Sequence, residues 1–105
     1  MKEITFLGNS LEATKDFLAN AWSEAGHQLR QIQRGDDPAD WKPMKTVGQG
    51  VREIRIREAS GAFRVIYLAT LADRVLVLHA FQKKTQQTAQ HDIDLAAARL
   101  KAWRE

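Results

Sequence analysis

The chain has 105 residues, no cysteine and a formal net charge of +3. This length suits one domain, residues 1–105, around one core, and a hydrophobic fraction of 44% argues against disorder. The lack of cysteine excludes disulfides, thiolate catalysis and cysteine-based zinc sites. No apolar run reaches the roughly 20 residues of a membrane span, and the first residues lack a secretory signal pattern, so we expect a cytoplasmic protein.

The N-terminal third predicts one strand followed by two helices. Residues 2–7 (KEITFL) place apolar side chains on alternate positions, which is typical of a strand. Ser10 suits a helix N-cap, and the apolar spacing over residues 11–25 predicts an amphipathic helix that Gly26 caps or kinks. A second helix is expected over residues 27–34.

Residues 36–50 (DDPADWKPMKTVGQG) contain two prolines and two glycines and show little periodicity. This composition predicts a loop of about fifteen residues, a length that is often functional inside a compact domain. Trp41 and Met44 are expected to cover the edge of the core. Lys42 and Lys45 are candidates to flank a ligand groove.

The fold is organised around residues 51–84, which contain three apolar runs rich in β-formers at residues 51–57, 63–69 and 74–81. The connections at residues 59–61 and 71–73 are short, which favours antiparallel hairpins over helical crossovers. We therefore predict a three-stranded antiparallel meander. After a polar and basic segment at residues 83–87, Thr88 suits an N-cap, and residues 89–104 have the apolar spacing of a closing helix.

The predicted order of elements is therefore β-α-α-β-β-β-α. We expect an α+β fold in which the helices pack on one face of a twisted, mainly antiparallel sheet. The other face would then be partly open, and the basic side chains of the strands are expected there.

Charged and apolar residues alternate in the first run of the meander. Because successive strand side chains point to opposite faces, Ile54 and Ile56 would face the core, whereas Glu53, Arg55 and Arg57 share the other face. Further cations follow on the next two strands: Arg64, Lys83 and Lys84. A sheet face with several guanidinium and ammonium groups suits a polyanion, because arginine binds phosphate oxygens bidentately and lysine supplies a point charge.

The usual catalytic motifs are absent from the sequence. Gly48 and Gly50 alone do not make a phosphate loop, and there is no HExxH or similar spacing, so no metal or cofactor is expected. His79 lies in an apolar strand and is expected to be structural, whereas His91 near the basic pair is a candidate acid or base.

A basic sheet face can promote one reaction without a metal, because RNA carries its own nucleophile in the 2′-hydroxyl. Arginine and lysine can stabilise the charge that develops on the phosphorus, and a lysine among other cations can exchange protons. The alternative is that Arg55, Arg57 and Arg64 only solvate the sheet face and pair with acidic groups.

Three motifs, GVREIRI, FRVIY and LHAFQKKTQ, occur in this order, with DDPADWKPMK before them and DIDLAAARLKAWRE after them. Together they resemble the phage-derived HigB-like branch of the RelE/ParE toxin superfamily over nearly the whole chain. The resemblance implies the toxin of a type II toxin–antitoxin pair, which cuts messenger RNA in the ribosomal A site and uses no metal or organic cofactor. It also implies a small helix-turn-helix antitoxin, which neutralises the toxin and through which the pair binds operator DNA.

The resemblance assigns catalytic roles to Arg55, Arg64 and Lys84, which match basic positions on and after the three strands. The residues expected to contact RNA are Lys83, Arg57, Lys45 and His91. The tyrosine that RelE has beyond the third strand is missing, and the HigB pattern of histidine and acid is not cleanly matched. Two other hypotheses stay open: a ParE-like inhibitor of gyrase or another protein, and a phage remnant that only binds its antitoxin.

Overall fold

The computed structural model of the chain describes residues 1–59, 61–84 and 88–105. Along these residues the elements are β1 (Glu3–Phe6), α1 (Ser10–Lys15), α2 (Ala19–Gln33), β2 (Trp41–Pro43), β3 (Val51–Glu58), β4 (Gly61–Leu68), β5 (Arg74–Lys83) and α3 (Gln90–Arg104). Ser60 of the first predicted turn and residues 85–87 of the polar segment lie outside the described residues. None of the described helices is long and apolar enough to span a membrane.

The strands form one five-stranded sheet in the order β1-β5-β4-β3-β2. β1 runs parallel to β5, and the other neighbouring pairs are antiparallel. The predicted meander is confirmed as β3, β4 and β5, and so are the α+β class and the mainly antiparallel sheet.

Helices cover both faces of the sheet, so the prediction that they pack on one face is wrong. α2 packs through Leu29 and Ile32 on the face that carries Ile54 and Phe63. α3 packs on the opposite face, where its Leu100 joins a second core cluster with Ile66, Leu68, Leu76 and Leu78. The physical reason lies in β4 and β5, which contain the uninterrupted apolar runs 65–68 and 75–78. Such runs present apolar side chains on both faces, and each face must be buried.

The first predicted helix is divided at a different place. α1 ends at Lys15 and α2 continues through Gly26 without a break, so the expected helix boundary at Gly26 is wrong. The chain turns at residues 16–18 instead, where Phe17 enters the core and its ring lies 4.9 Å from that of Phe63. Burial of this ring outweighs continuation of a helical pattern.

The two predicted N-caps are also wrong. Asn9 and Ala89 occupy the N-cap positions of α1 and α3. The buried Ser10 hydroxyl instead donates to the carbonyl oxygen of Val77 at 3.2 Å, which attaches α1 to β5.

A short strand, β2, lies inside the segment predicted as a loop. Trp41 and Lys42 pair with Ile54 and Glu53 of β3 at the edge of the sheet. Pro43 made a strand hard to recognise, because proline cannot donate to a strand ladder and is confined to edge strands such as this one. Met44 is buried in the cluster on the α3 side, as expected, whereas Trp41 is half-buried outside both core clusters, with the Arg52 guanidinium 3.8 Å from the centre of its ring.

Two glycines with open space around them should respond in opposite ways to alanine. A Cβ atom on Gly26 or Gly35 would meet nothing within 4 Å. Gly26 lies within α2, so Gly26→Ala should raise the free energy of unfolding by about 0.5–1 kcal/mol. Gly35 has a φ of +94°, which an L side chain rarely adopts, so Gly35→Ala should lower it by about 1–3 kcal/mol. Urea unfolding of both variants measures the two effects, and a shift of the same sign in both would contradict this account.

Candidate functional site

A cleft of about 530 Å³ opens on the face of the sheet that α3 partly covers. We call it the cation cleft; its described lining residues are Arg55, Arg57, Glu58, Gly61, Ala62, Arg64, Lys83 and Lys84. Five of these lining residues are cationic and one is acidic. The cleft is therefore a concave surface of one charge sign, which attracts anions.

Strand pairing brings these cations together. On the α3 face, neighbouring side chains of β3, β4 and β5 form cross-strand rows, about 7 Å apart along the strands. The rows, from α3 outward, are Glu53, Ile66 and His79; Arg55, Arg64 and Phe81; and Arg57, Ala62 and Lys83. The members of the two outer rows, except Phe81, line the cation cleft, and the start of α3 lies near the row that contains Glu53.

A buried carboxylate lies in the row next to the cation cleft. Glu53 is fully buried, and its Oε1 atom is 3.5 Å from Nε of Arg64 and 3.7 Å from Nζ of Lys42. Its Oε2 atom accepts a hydrogen bond of 2.9 Å from the Thr88 hydroxyl, just before α3. Glu53 therefore connects the cleft to β2 and to the start of α3.

Arg64 is nearly buried, with 3% of its surface exposed, although it lines the cleft. Its Nη1 donates to the carbonyl oxygen of Phe63 at 3.0 Å, and its Nε faces Glu53. Burial lowers the pKa of Arg64 and the Glu53 carboxylate opposes this change. Arginine stays protonated across the physiological range, so Arg64 is a fixed positive charge.

The positive charge of Lys83 is disfavoured in the cleft. Burial lowers its pKa, the positive charges of Arg64, Lys42 and Arg55 lower it further, and Glu53 opposes them. A lysine with a lowered pKa can give up and regain a proton closer to neutral pH. The cleft thus combines fixed positive charges with a lysine whose protonated form is disfavoured.

Residues 14–101 match the model of the family described as "Phage derived protein Gp49-like (DUF891)". The match covers most of the chain and every strand that forms the cation cleft. The chain belongs to the Gp49-like family. This is a RelE-like family of phage-derived toxins of the toxin–antitoxin type, so an antitoxin partner is implied. No curated protein matches the sequence.

In this Gp49-like toxin, the structure brings together five of the seven residues assigned to the site from sequence. Those that line the cation cleft are Arg55, Arg57, Arg64, Lys83 and Lys84. They point away from α1 and α2, as expected, but they share their face with α3.

The other two predicted site residues lie elsewhere. His91 is exposed and lines a neighbouring cavity of about 340 Å³, which Lys83 and Lys84 also border. Lys45 is exposed in the connection between β2 and β3, near Val51 and thus near the end of β3 remote from Arg57. Lys42, rather than Lys45, lies close to the residues of the cleft, since its Nζ is 3.7 Å from Oε1 of Glu53. Recognising β2 would have shown this, because the pairing of β2 with β3 places Lys42 opposite Glu53.

A histidine–aspartate pair fastens α3 beside the cation cleft. Nε2 of His79 lies 2.6 Å from Oδ1 of the buried Asp92, and the His79 ring stacks on Phe81 with centroids 5.1 Å apart. Burial lowers the pKa of His79, and the hydrogen bond and negative charge of Asp92 oppose this change. The expectation of a structural, hydrogen-bonded His79 is confirmed. Within residues 1–59, 61–84 and 88–105, no group of three or more metal-ligating side chains is arranged to hold a metal ion.

Proposed function

We propose that this Gp49-like toxin is a ribosome-dependent messenger RNA endonuclease of the HigB-like branch, neutralised by a small helix-turn-helix antitoxin. The observation that carries the proposal is the cation cleft, in which four cations on three adjacent strands and Lys84 just after the last strand line one volume. That volume lies within the range of sites that hold small ligands, about 300–1,000 Å³. It is large enough for a nucleotide, and its charge suits a phosphate.

The proposed reaction needs no metal ion, because the substrate supplies the nucleophile. The 2′-oxygen attacks the adjacent phosphorus, the bond from phosphorus to the 5′-oxygen breaks, and the products are a 2′,3′-cyclic phosphate and a 5′-hydroxyl. One proton leaves the 2′-oxygen and one is delivered to the 5′-oxygen. Arg64 and Arg55 would stabilise the negative charge on the phosphorane through charge-assisted hydrogen bonds.

The position of Lys83 supports a proton-transfer role for it, beside the catalytic role that the resemblance assigns to Lys84. Lys83 lies in the same cross-strand row as Arg57, with Ala62 between them, and on the same face as Arg64. Its pKa is lowered. Arg57 would then hold the RNA backbone, and His91 would contact RNA from the neighbouring cavity.

Primer extension on ribosome-bound messages tests the proposal. Purified toxin added to translating ribosomes should produce new 5′ ends within the codon in the A site, and the same RNA without ribosomes should stay intact. Growth arrest with DNA-damage signalling and no new ends would contradict the proposal and support a ParE-like inhibitor. Normal growth on expression of the toxin alone would instead indicate a remnant that only binds its antitoxin.

A further inference from the structure

Glu53 is a carboxylate at the centre of a basic site, and it cannot reach the substrate. We infer that Glu53 is a positioning residue, which fixes the arrangement of the cations beside it. The inference rests on the proposed function for its catalytic consequence. The arrangement itself can be measured without any RNA.

The contacts of Glu53 come from three elements. Arg64 lies on β4, Lys42 on β2, and Thr88 immediately before α3. A carboxylate has about four acceptor positions on two oxygens, so it can serve several such partners at once. Because a buried carboxylate without partners is very costly, its cations are held close to it.

Burial excludes a direct catalytic role for Glu53. Its exposed fraction is 0%, and it does not line the cation cleft. Its influence must therefore pass through Arg64, which both contacts Glu53 and lines the cleft. Nη1 of Arg64 is hydrogen-bonded to the Phe63 carbonyl, and its Nε forms an ion pair with Oε1 of Glu53 at 3.5 Å without hydrogen-bond geometry, so the guanidinium is held by one hydrogen bond and one charge contact when a phosphate arrives.

Glu53 also offsets repulsion between the cations. Arg55 lies directly opposite Arg64, and like charges in that relation destabilise a sheet. Lys83 is close to positive groups on three strands, Arg64 on β4, Arg55 on β3 and Lys42 on β2, and it shares the cleft with Arg57, Lys84 and the acidic Glu58. Glu53 is the buried negative charge that acts on this set, so its loss should make protonation of Lys83 less favourable.

The variant Glu53→Gln removes the charge while keeping the shape and an acceptor for Thr88. We expect kcat on ribosome-bound message to fall by about a hundredfold, the scale set by a small misplacement of catalytic groups. A message with a 2′-deoxyribose at the scission point lacks the nucleophile and is not cleaved. The affinity of the toxin for a ribosome complex that carries this message should stay unchanged or increase, since one negative charge is lost next to the cleft. Glu12→Gln on the exposed surface of α1 removes the same charge elsewhere and should change neither quantity.

A nuclear magnetic resonance titration of Lys83 completes the experiment, because it needs no activity. The pKa of Lys83 should fall in Glu53→Gln and stay constant in Glu12→Gln. An unchanged Lys83 pKa, or a parallel loss of kcat and affinity, would overturn the inference, because both indicate a purely structural role. If wild-type toxin cleaves nothing while the Lys83 pKa still falls in Glu53→Gln, the nuclease proposal is wrong and the positioning role is supported.

A second variant covers the case in which Glu53→Gln does not fold. Thr88→Val removes the hydrogen bond to Oε2 and leaves the charge in place. We expect a smaller decrease of kcat, unchanged affinity for the uncleavable complex and little change in the Lys83 pKa. If folded Thr88→Val has the kcat of the wild type, the hydrogen bond from Thr88 does not help to position Glu53.

Discussion

The variant Arg64→Met should lose RNA cleavage by about 100- to 1,000-fold, the effect of removing one donor that stabilises a developing oxyanion. Arg64 is the cation most tightly held in the cleft, through Glu53 and the carbonyl of Phe63. Methionine keeps much of the volume of the side chain and removes every donor. Primer extension on ribosome-bound messages measures the loss.

The same substitution should also destabilise the fold, and this effect must be separated from the first. Removing one partner of a buried ion pair leaves an uncompensated charge and costs about 3–5 kcal/mol. Lys42 remains 3.7 Å from Glu53, so we expect the lower end of that range. Loss of growth arrest in Arg64→Met alone would therefore not distinguish lost chemistry from lost folding.

The double variant Arg64→Met with Glu53→Gln resolves the ambiguity when its cleavage is compared with that of Glu53→Gln alone, which should be higher. It removes both charges of the buried pair, so no carboxylate is left without its cation, and most of the lost stability should return. Urea unfolding should place the double variant between the single variant and the wild type, while cleavage stays lost. A stable double variant that cleaves messages as the wild type does would contradict the role of Arg64.

The part of the site that sequence predicts is the part governed by strand alternation. The spacing of Arg55 and Arg57 against Ile54 and Ile56 places the two arginines on one face, and short connections bring the following cations onto the neighbouring strands. The five cations that line the cleft therefore lie together, as the order of residues along the chain predicts.

The contacts of Glu53 could not be obtained in the same way, because they depend on register. Glu53 pairs with Ile66 and Arg64 pairs with Arg55, so the ion pair between Glu53 and Arg64 runs diagonally between two cross-strand rows. A pattern along one strand does not fix which diagonal forms. For the same reason the sequence favoured an exposed Arg64, whereas the structure buries it beside a carboxylate.

The position of α3 is a second feature that periodicity does not determine. A helical apolar stripe shows that a helix is packed, and a continuous apolar strand shows that both its faces are buried, but neither tells which helix covers which face. Only the assembled sheet shows that α3 lies opposite α1 and α2 and borders the cation cleft.

The variant Leu100→Ala should show that α3 is part of the core on this second face. Leu100 is 2% exposed, and its Cδ2 atom packs so closely on Gly48 that a Cβ there would lie 2.8 Å away. Truncating a leucine in such a place leaves a cavity and costs about 2–5 kcal/mol. Urea unfolding of the purified variant measures the decrease.

Leu95→Ala is the matched control, because it makes the same change on the same helix at a position that is 37% exposed. Leu95→Ala should change the free energy of unfolding by only about 0.5 kcal/mol, which is typical of surface substitutions, since little apolar area returns to water. The contrast between the two variants reports the packing of one side of α3, independently of helix propensity, which both substitutions change equally. Equal and small effects would mean that α3 does not bury this stripe against Ile66 and Leu78, and that the helices leave this face of the sheet open after all.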